Sequence, residues 1–443
     1  MKLWQKETSV SEAVEKFTVG KDRELDMQLA PFDVLGSLAH IQMLGSVGLL
    51  SAEELAKLQS ELKNIYHEIL DKRFTLDDGV EDIHSQVELV LTRRLGDTGK
   101  KIHSARSRND QVLVDLRLFY RDKIEGLVAG VTELFKLLIR QSEKYKNDLL
   151  PGYTHLQLAM PSSFGLWFGA YAESLIDDLV TLEAAYRVVN KNPLGSAAGY
   201  GSSFPIDRQL TTELLGFDIL NYNVVYAQMG RGKTERILAS SMSNIGATLA
   251  KLSMDVCMYL NPDFAFISFP TELTTGSSIM PHKKNPDVFE LIRAYSNRLQ
   301  ALPNEIMLMT ANLTSGYHRD MQLLKEHMIP AFDELGSCLS MMCLMLENIQ
   351  VRTDILKDDR YLYLFSVEEV NKLVLKGIPF RDAYMQISQS IERNEFSHSG
   401  EIVHSHLGSI GNLCNQEIGE QMDKVVSRFD FSRMKIALQQ LLD

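Results

Sequence analysis

Apolar residues fall at helical spacing over long stretches of the chain. Val112, Leu116, Phe119, Leu127, Val131, Leu134 and Leu138 recur at intervals near three and four with one slip, and Ile245, Leu249, Leu252, Val256 and Tyr259 repeat the pattern. A third run, Val288, Ile292, Tyr295 and Leu299, follows Asn285–Pro286, where Asn suits a cap and Pro the first helical position. The spacing predicts helices over 109–140, 234–260 and 286–310. No proline lies between Pro31 and Pro151 or between Pro205 and Pro262, so little stands in the way of unusual length.

Such apolar faces are wider than one neighbouring helix covers, which predicts side-by-side packing in a bundle, part of it between subunits. Strand-like alternation is confined to 219–227, so the expected class is all-α. A chain of 443 residues exceeds one ordinary core. Polar and turn-forming residues near 102–107 and a charged stretch near 357–360 divide it into an N-terminal helical domain 1–105, a long-helix domain 106–358 and a C-terminal helical domain 359–443.

Composition narrows the function. With 45% hydrophobic and 23% charged residues the chain reads as globular. Its net charge of -12, without a long basic run, disfavours nucleic acid and anionic membrane as partners. An anionic ligand therefore needs local cationic pockets. Cys257, Cys338, Cys343 and Cys414 have no metal-ligand spacing and read as reduced core residues. Residues 1–10 show no apolar leader segment and 18 apolar residues never run together, so the expected location is cytoplasmic.

The densest chemistry lies in Gly276-Ser277-Ser278-Ile279-Met280-Pro281-His282-Lys283-Lys284-Asn285-Pro286. Removing a proton from carbon beside a carboxylate builds negative charge that only pre-placed cations and hydrogen-bond donors can stabilise. Lys283, Asn285 and the adjoining helix start suit that task. Either Ser277 or Ser278 could be the base, given nearby positive charge and a closing glycine-hinged loop.

Two further stretches carry usable groups. Gly152-Tyr153-Thr154-His155-Leu156-Gln157 holds a histidine in a turn after Pro151, beside a hydroxyl and an amide, where it could move protons near neutral pH. His103-Ser104-Ala105-Arg106-Ser107-Arg108-Asn109-Asp110-Gln111 sets guanidinium, hydroxyl and amide groups at the mouth of a long helix, a composition suited to binding carboxylates.

The first string resembles the signature loop of the fumarase and aspartase superfamily, Gly-Ser-Ser-x-Met-Pro-x-Lys-x-Asn-Pro, and its Lys-Lys-Asn-Pro-Asp ending resembles the argininosuccinate lyase branch, which includes delta-crystallin. The resemblance implies that Ser277 abstracts the proton, that Lys283 and Asn285 steady the carbanion, and that His155 works with Glu290. It further implies that Ser107, Arg108, Asn109 and Thr154 hold substrate. Ser315-Gly316-Tyr317-His318-Arg319-Asp320-Met321-Gln322-Leu323-Leu324-Lys325 resembles another block of these lyases, giving Tyr317, Gln322 and Lys325 the same role. The likeness runs from Asp33-Val34-Leu35-Gly36-Ser37 to Lys376-Gly377-Ile378-Pro379-Phe380-Arg381. It implies three helical domains, a homotetramer with a twenty-helix core, active sites drawn from three subunits, and β-elimination of argininosuccinate to arginine and fumarate with no metal or other cofactor.

Three departures stand out: Asp22 where the family has serine, His282 where its loop has glutamine, and Gln228-Met229-Gly230-Arg231-Gly232-Lys233-Thr234 where it has a Ser-x-Arg-Asp segment. His282 resembles the adenylosuccinate lyase loop, which makes that enzyme the nearest rival. Residues 227–234 also satisfy a relaxed phosphate-loop pattern, Ala-x-x-x-x-Gly-Lys-Thr, and open a nucleotide-binding alternative, although no βαβ repeats accompany it. A catalytically silent crystallin-like protein is the third alternative, against which the intact Ser277, His155, Lys283 and Glu290 stand.

Overall fold

The structure is a computed structural model that describes residues 11–402 and 404–443; residues 1–10, where no leader segment was expected, lie outside them. Five helices, α1 (Glu12–Val19), α2 (Asp22–Ser46), α3 (Ala52–Leu70), α4 (Ile83–Leu95) and α5 (Asp97–Lys100), precede the longest one, α6 (Arg108–Lys144). At 1.5 Å per residue its 37 residues span about 55 Å. Ser107 caps it, accepting from the Asn109 N–H at 3.3 Å, while Asp110 Oδ1 accepts from the Ser107 N–H at 2.9 Å. Every position of the predicted apolar series except Val112 is buried, from Leu116 to Leu138.

A hairpin of β1 (Leu149–Thr154) and β2 (Gln157–Ser163) leads into α7 (Phe164–Val189). After β3 (Lys191–Asn192), α8 (Arg208–Leu214), β4 (Ile219–Leu220) and α9 (Val224–Met229), the chain enters α10 (Lys233–Leu260). Helix α11 (Asp287–Met309) lies against α10 where Gly246 admits it: a Cβ at that position would come 3.2 Å from the Ser296 carbonyl oxygen. Helix α12 (Leu324–Glu347) completes the bundle, and β5 (Ile267–Ser268) pairs with β6 (Gln350–Val351) across its end. Four shorter helices follow: α13 (Ser366–Leu375), α14 (Phe380–Glu392), α15 (Asn415–Val426) and α16 (Ser432–Leu442). The all-α reading holds.

Two apolar cores organise these elements. One runs through α6, α7, α10, α11 and α12 and takes in Ile418 and Met422 of α15. The other joins α2, α3 and α4 to the start of α6, with Leu215, Phe217 and Leu441 closing it. Arg121, fully buried, links the two by donating to the carbonyls of Leu215 at 2.9 Å and Gly216 at 2.6 Å. The bundle helices still expose Met254, Leu291, Tyr295, Leu308, Met341 and Leu344.

Two local expectations are corrected. Residues 219–227 are extended only at Ile219–Leu220; Asn223 Oδ1 then accepts from the Tyr226 N–H at 2.9 Å and starts α9, so a side-chain cap overrides the strand-forming residue types. Helix α11 begins at Asp287, one residue later than expected, with Pro286 as its cap. Asn285 is instead bridged to Thr275 and donates its side-chain amide to the Gly276 carbonyl at 3.3 Å. Among the described residues one stretch, Arg319–Glu347, has the length and apolar composition to cross a membrane, and half of its most apolar window is buried inside the chain. Of the cysteines, Cys338 is buried and the other three are partly exposed, and all four are free thiols.

Candidate active site

A cavity of about 400 Å³ opens where α2, α4, the start of α6 and the segment before α12 converge. Its wall carries six of the residues singled out in the sequence: Ser107, Arg108, Asn109, Tyr317, Gln322 and Lys325. The capping of α6 explains part of this. Because Ser107 ends the extended segment and starts the helix, Arg108 and Asn109 fall on the first turn and face the cavity.

Arg108 is met there by acids that the sequence analysis did not single out. Asp82 caps α4 by accepting from the Ser85 N–H at 2.8 Å, and its other oxygen lies 3.1 Å from Arg108 Nη1. Burial opposes ionisation of Asp82, yet the charges of His84 and Arg108 hold its carboxyl below the ordinary range. Arg108 also donates to Ser85 Oγ at 2.7 Å, and Glu81 Oε2 is 3.9 Å away. Glu81 pairs more closely with Arg319, at 2.8 Å. The clue available in the sequence was Asp82 followed by a helical pattern, an N-cap signal; nothing in it indicated that the cap would face Arg108 from another helix.

Gln322 and Lys325 share the cavity wall, though Gln322 belongs to a 3₁₀ turn, Arg319–Gln322, and only Lys325 lies on α12. Gln322 donates to the Thr18 carbonyl at 2.9 Å and the Val19 carbonyl at 3.2 Å, drawing the end of α1 toward the cavity. Lys325 is buried, with its ammonium 2.6 Å from Asp26 Oδ1 and 2.8 Å from Asp22 Oδ1. Burial opposes its charge, but the two carboxylates keep its pKa above the usual value. Burial pushes the Asp22 carboxyl up to about 6, against the pull of Lys325.

His84, which lines the cavity, is buried together with Asp33 and Asp115, their donor atoms within 4.8 Å of one another, the type of set that can ligate a cation. Some of their polar atoms are paired within the set, but Asp33 Oδ2, His84 Nε2 and both Asp115 oxygens have no hydrogen-bond partner among the described residues. His84 Nδ1 is 2.8 Å from Asp33 Oδ1, which also accepts from Gln111 at 2.6 Å, and Asp33 holds the imidazole charge up against burial. Burial and the neighbouring Asp33 push the Asp115 carboxyl well above its ordinary range.

The other singled-out residues lie elsewhere. Thr154 and His155 sit at the tip of the β1–β2 hairpin, where His155 and Leu156 take left-handed φ of 53° and 57°, and both side chains are exposed. Such a two-residue turn matches the strand twist and presents the imidazole outward. Ser277 lies in the loop before α11, its Oγ accepting from the N–H groups of Ile279 at 3.3 Å and Met280 at 3.1 Å. Lys283 is exposed in the same loop, and Glu290 is exposed on the first turn of α11. Neither group of residues lines the cavity with Arg108. One chain thus carries three separated patches: the cavity, the hairpin tip and the serine loop.

The phosphate-loop alternative fails on geometry. A short helix, not a strand, leads into 227–234, and Thr234 Oγ1 donates to the Gly230 carbonyl at 2.9 Å, which commits the hydroxyl a nucleotide would need. Arg231 is ion-paired to Glu235 at 3.2 Å, placing an acid where phosphate oxygens would lie.

With the site in view, comparison places the chain. Residues 5–301 match the profile of a family described as Lyase. The match covers more than half of the chain, and the chain belongs to this family. Within it the chain groups with the argininosuccinate lyases: it is 60% identical over 441 residues to that of Bacteroides fragilis, covering 100% of this chain and 99% of the relative. Identity to the argininosuccinate lyase of Parabacteroides distasonis is 61% over 441 residues, with 100% and 99% covered, and to that of Thermotoga neapolitana 40% over 394 residues, with 89% and 99% covered. Among solved structures, EDDS lyase in complex with formate superposes with a TM-score of 0.77 at 20% identity, covering 98% of this chain and 95% of that one. A class II fumarase from Schistosoma mansoni gives 0.69 at 14% identity, with 94% of each covered. At these identities the structural likeness shows the shared fold.

Proposed function

We propose that the chain cleaves argininosuccinate reversibly to arginine and fumarate, a step of arginine biosynthesis, in the cytoplasm. The observation that carries this reading is the end-to-end identity with argininosuccinate lyases, in a chain that holds the serine loop, the histidine hairpin and the arginine-asparagine helix start together.

The chemistry follows from these groups. Ser277 takes the proton from the carbon beside a substrate carboxylate, and Lys283 and Asn285 stabilise the negative charge that develops there. The electron pair then forms the carbon–carbon double bond of fumarate as the bond to the guanidino nitrogen breaks. His155, paired with Glu290, moves the proton that the departing nitrogen needs. Ser107, Arg108, Asn109, Thr154, Tyr317, Gln322 and Lys325 hold the substrate. The elimination is redox-neutral, and the proposed steps use only these side chains.

These roles require three patches to meet that one chain keeps apart. We infer a homotetramer in which the cavity of one subunit, the hairpin tip of a second and the serine loop of a third form each site. The exposed Leu291, Tyr295, Leu308, Met341 and Leu344 on the bundle helices support it, since apolar side chains on long parallel faces mark surfaces that partners cover. In this reading 1–105 and 359–443 are helical domains flanking a bundle domain 106–358. The second core, around α2, α3 and α4, supports the first of these boundaries.

Fumarate release from argininosuccinate, followed by absorbance and repeated in EDTA, tests the activity, and light scattering tests the assembly. Product formation by a tetramer, unaffected by the chelator, is expected. No release from argininosuccinate, or release by a monomer, would overturn the corresponding part.

A further inference from the structure

Three helices meet where Asp33 of α2, His84 of α4 and Asp115 of α6 come together. Asp33 and Asp115 are 0% exposed and His84 4%, so water has little access to any of them. His84 Nδ1 lies 2.8 Å from Asp33 Oδ1 and 3.4 Å from Asp115 Oδ2. Four further chances of pairing go unused among the described residues, at Asp33 Oδ2, His84 Nε2 and both Asp115 oxygens. Burying a carboxylate whose oxygens have no donor is costly, and the cost is relieved by a partner of opposite charge. Arg106 acts on both carboxylates through its charge, yet it donates to Ser37 Oγ at 2.9 Å and makes no hydrogen bond to either of them.

From this geometry we infer that Asp33, His84 and Asp115 form a binding site for one divalent transition-metal ion, held between α2, α4 and α6. The ligand atoms are Asp33 Oδ1, His84 Nδ1 and Asp115 Oδ2. The distances from the imidazole nitrogen to the two oxygens, 2.8 and 3.4 Å, are of the size that separates neighbouring ligands around an ion bound at about 2.0–2.2 Å. One imidazole and two carboxylates suit Zn²⁺ or Mn²⁺ better than Ca²⁺ or Mg²⁺, which take all-oxygen shells. Gln111 donates to Asp33 Oδ1 at 2.6 Å and orients that carboxylate from outside the set. Binding sends the Nδ1 proton to solvent and engages both acids as carboxylates, so a neutral imidazole and two negative charges face the ion. Because His84 lines the cavity, the cavity is the way in.

Such an ion takes no step in the proposed elimination, and the inference does not depend on that activity. It ties three helices of the second core together. Through His84 it also fixes α4, whose cap Asp82 meets Arg108 at 3.1 Å. Enclosure makes its release slow, so a chelator added during an assay leaves it in place.

Elemental analysis tests the site. Assembled protein produced in medium supplemented with Zn²⁺ and Mn²⁺, then passed through EDTA and gel filtration, should retain about one of these ions per chain. Asp115→Asn keeps the side-chain shape and removes one anionic ligand, and it should retain less than about a tenth as much. Protein produced with Co²⁺ should show visible d–d absorption without the intense thiolate band that ligation by Cys257, Cys338, Cys343 or Cys414 would give. Circular dichroism checks that Asp115→Asn folds; if it does not, the ion content and cobalt spectrum of the wild type decide alone. A wild type that retains no ion, a thiolate band in the cobalt protein, or equal retention by a folded Asp115→Asn would overturn the inference, and none of these results bears on argininosuccinate cleavage.

Discussion

Arg231 and Glu235 form an ion pair at 3.2 Å with both side chains almost fully buried, at the start of α10. Glu235 also accepts from the Gly232 N–H at 2.6 Å, and Arg231 donates to the Met321 carbonyl at 2.9 Å, so the pair fastens the bundle to the segment bearing Tyr317 and Gln322. Removing one member of a buried pair leaves the other uncompensated, at a cost of about 3–5 kcal/mol. Urea denaturation of Glu235→Ala should show a loss of that order, and ATP should give no thermal stabilisation of the wild type. A near-neutral Glu235→Ala, or a clear shift with ATP, contradicts this account of 227–234.

Ser277→Ala should lower turnover by about 10²–10⁴-fold, the contribution typical of a positioned proton-transfer group, while argininosuccinate still binds. The Ser277 hydroxyl also holds the loop through the Ile279 and Met280 N–H groups, so loop order needs its own readout, for which limited proteolysis serves. Loss of turnover in Ser278→Ala with a normal Ser277→Ala would transfer the base to the neighbouring serine.

Because the cavity and the serine loop are apart in a single chain, inactive variants of the two should complement each other. Arg108→Ala and Ser277→Ala subunits, unfolded and refolded together, should regain part of the wild-type activity, since some mixed sites draw an intact residue from each chain. Neither variant should recover when refolded alone. Mixed tetramers without activity would mean that each site is built within one subunit.

Asp178 offers a pH test away from the site. It is buried on α7, accepts from Thr248 Oγ1 at 2.7 Å, and is pushed by burial up to about 6 from an ordinary value of 3.8. A carboxyl whose pKa is higher folded than unfolded binds its proton more tightly in the native state. Its stability contribution is therefore fullest below pH 4, falls as pH rises toward 6, and stays low above. Asp178→Asn keeps the acceptor and has no charge to bury. Its melting temperature should match the wild type at pH 4 and exceed it at pH 8, by an amount equivalent to about 2–3 kcal/mol. A constant difference between the two pH values would refute the assignment.

The all-α class, the three long helices and the residues of the separate patches were legible in the sequence because each depends on near neighbours. Helical periodicity states which side chains share a face, so the series from Leu116 to Leu138 is buried as predicted, and local capping at Ser107 aims Arg108 and Asn109 together. Where reading failed locally, at Asn223 and Asn285, one side-chain hydrogen bond outweighed residue preference. The tertiary structure alone decided what faces what across the chain. Asp82 meets Arg108 from α4, and Asp22 reaches Lys325 some 300 positions away, because packing two apolar cores against one another fixes distances that sequence separation does not encode. It also kept Ser277 and His155 off the cavity wall, since the loop before α11 and the tip of the β1–β2 hairpin are placed by the elements that flank them and not by the helix starts that build the wall.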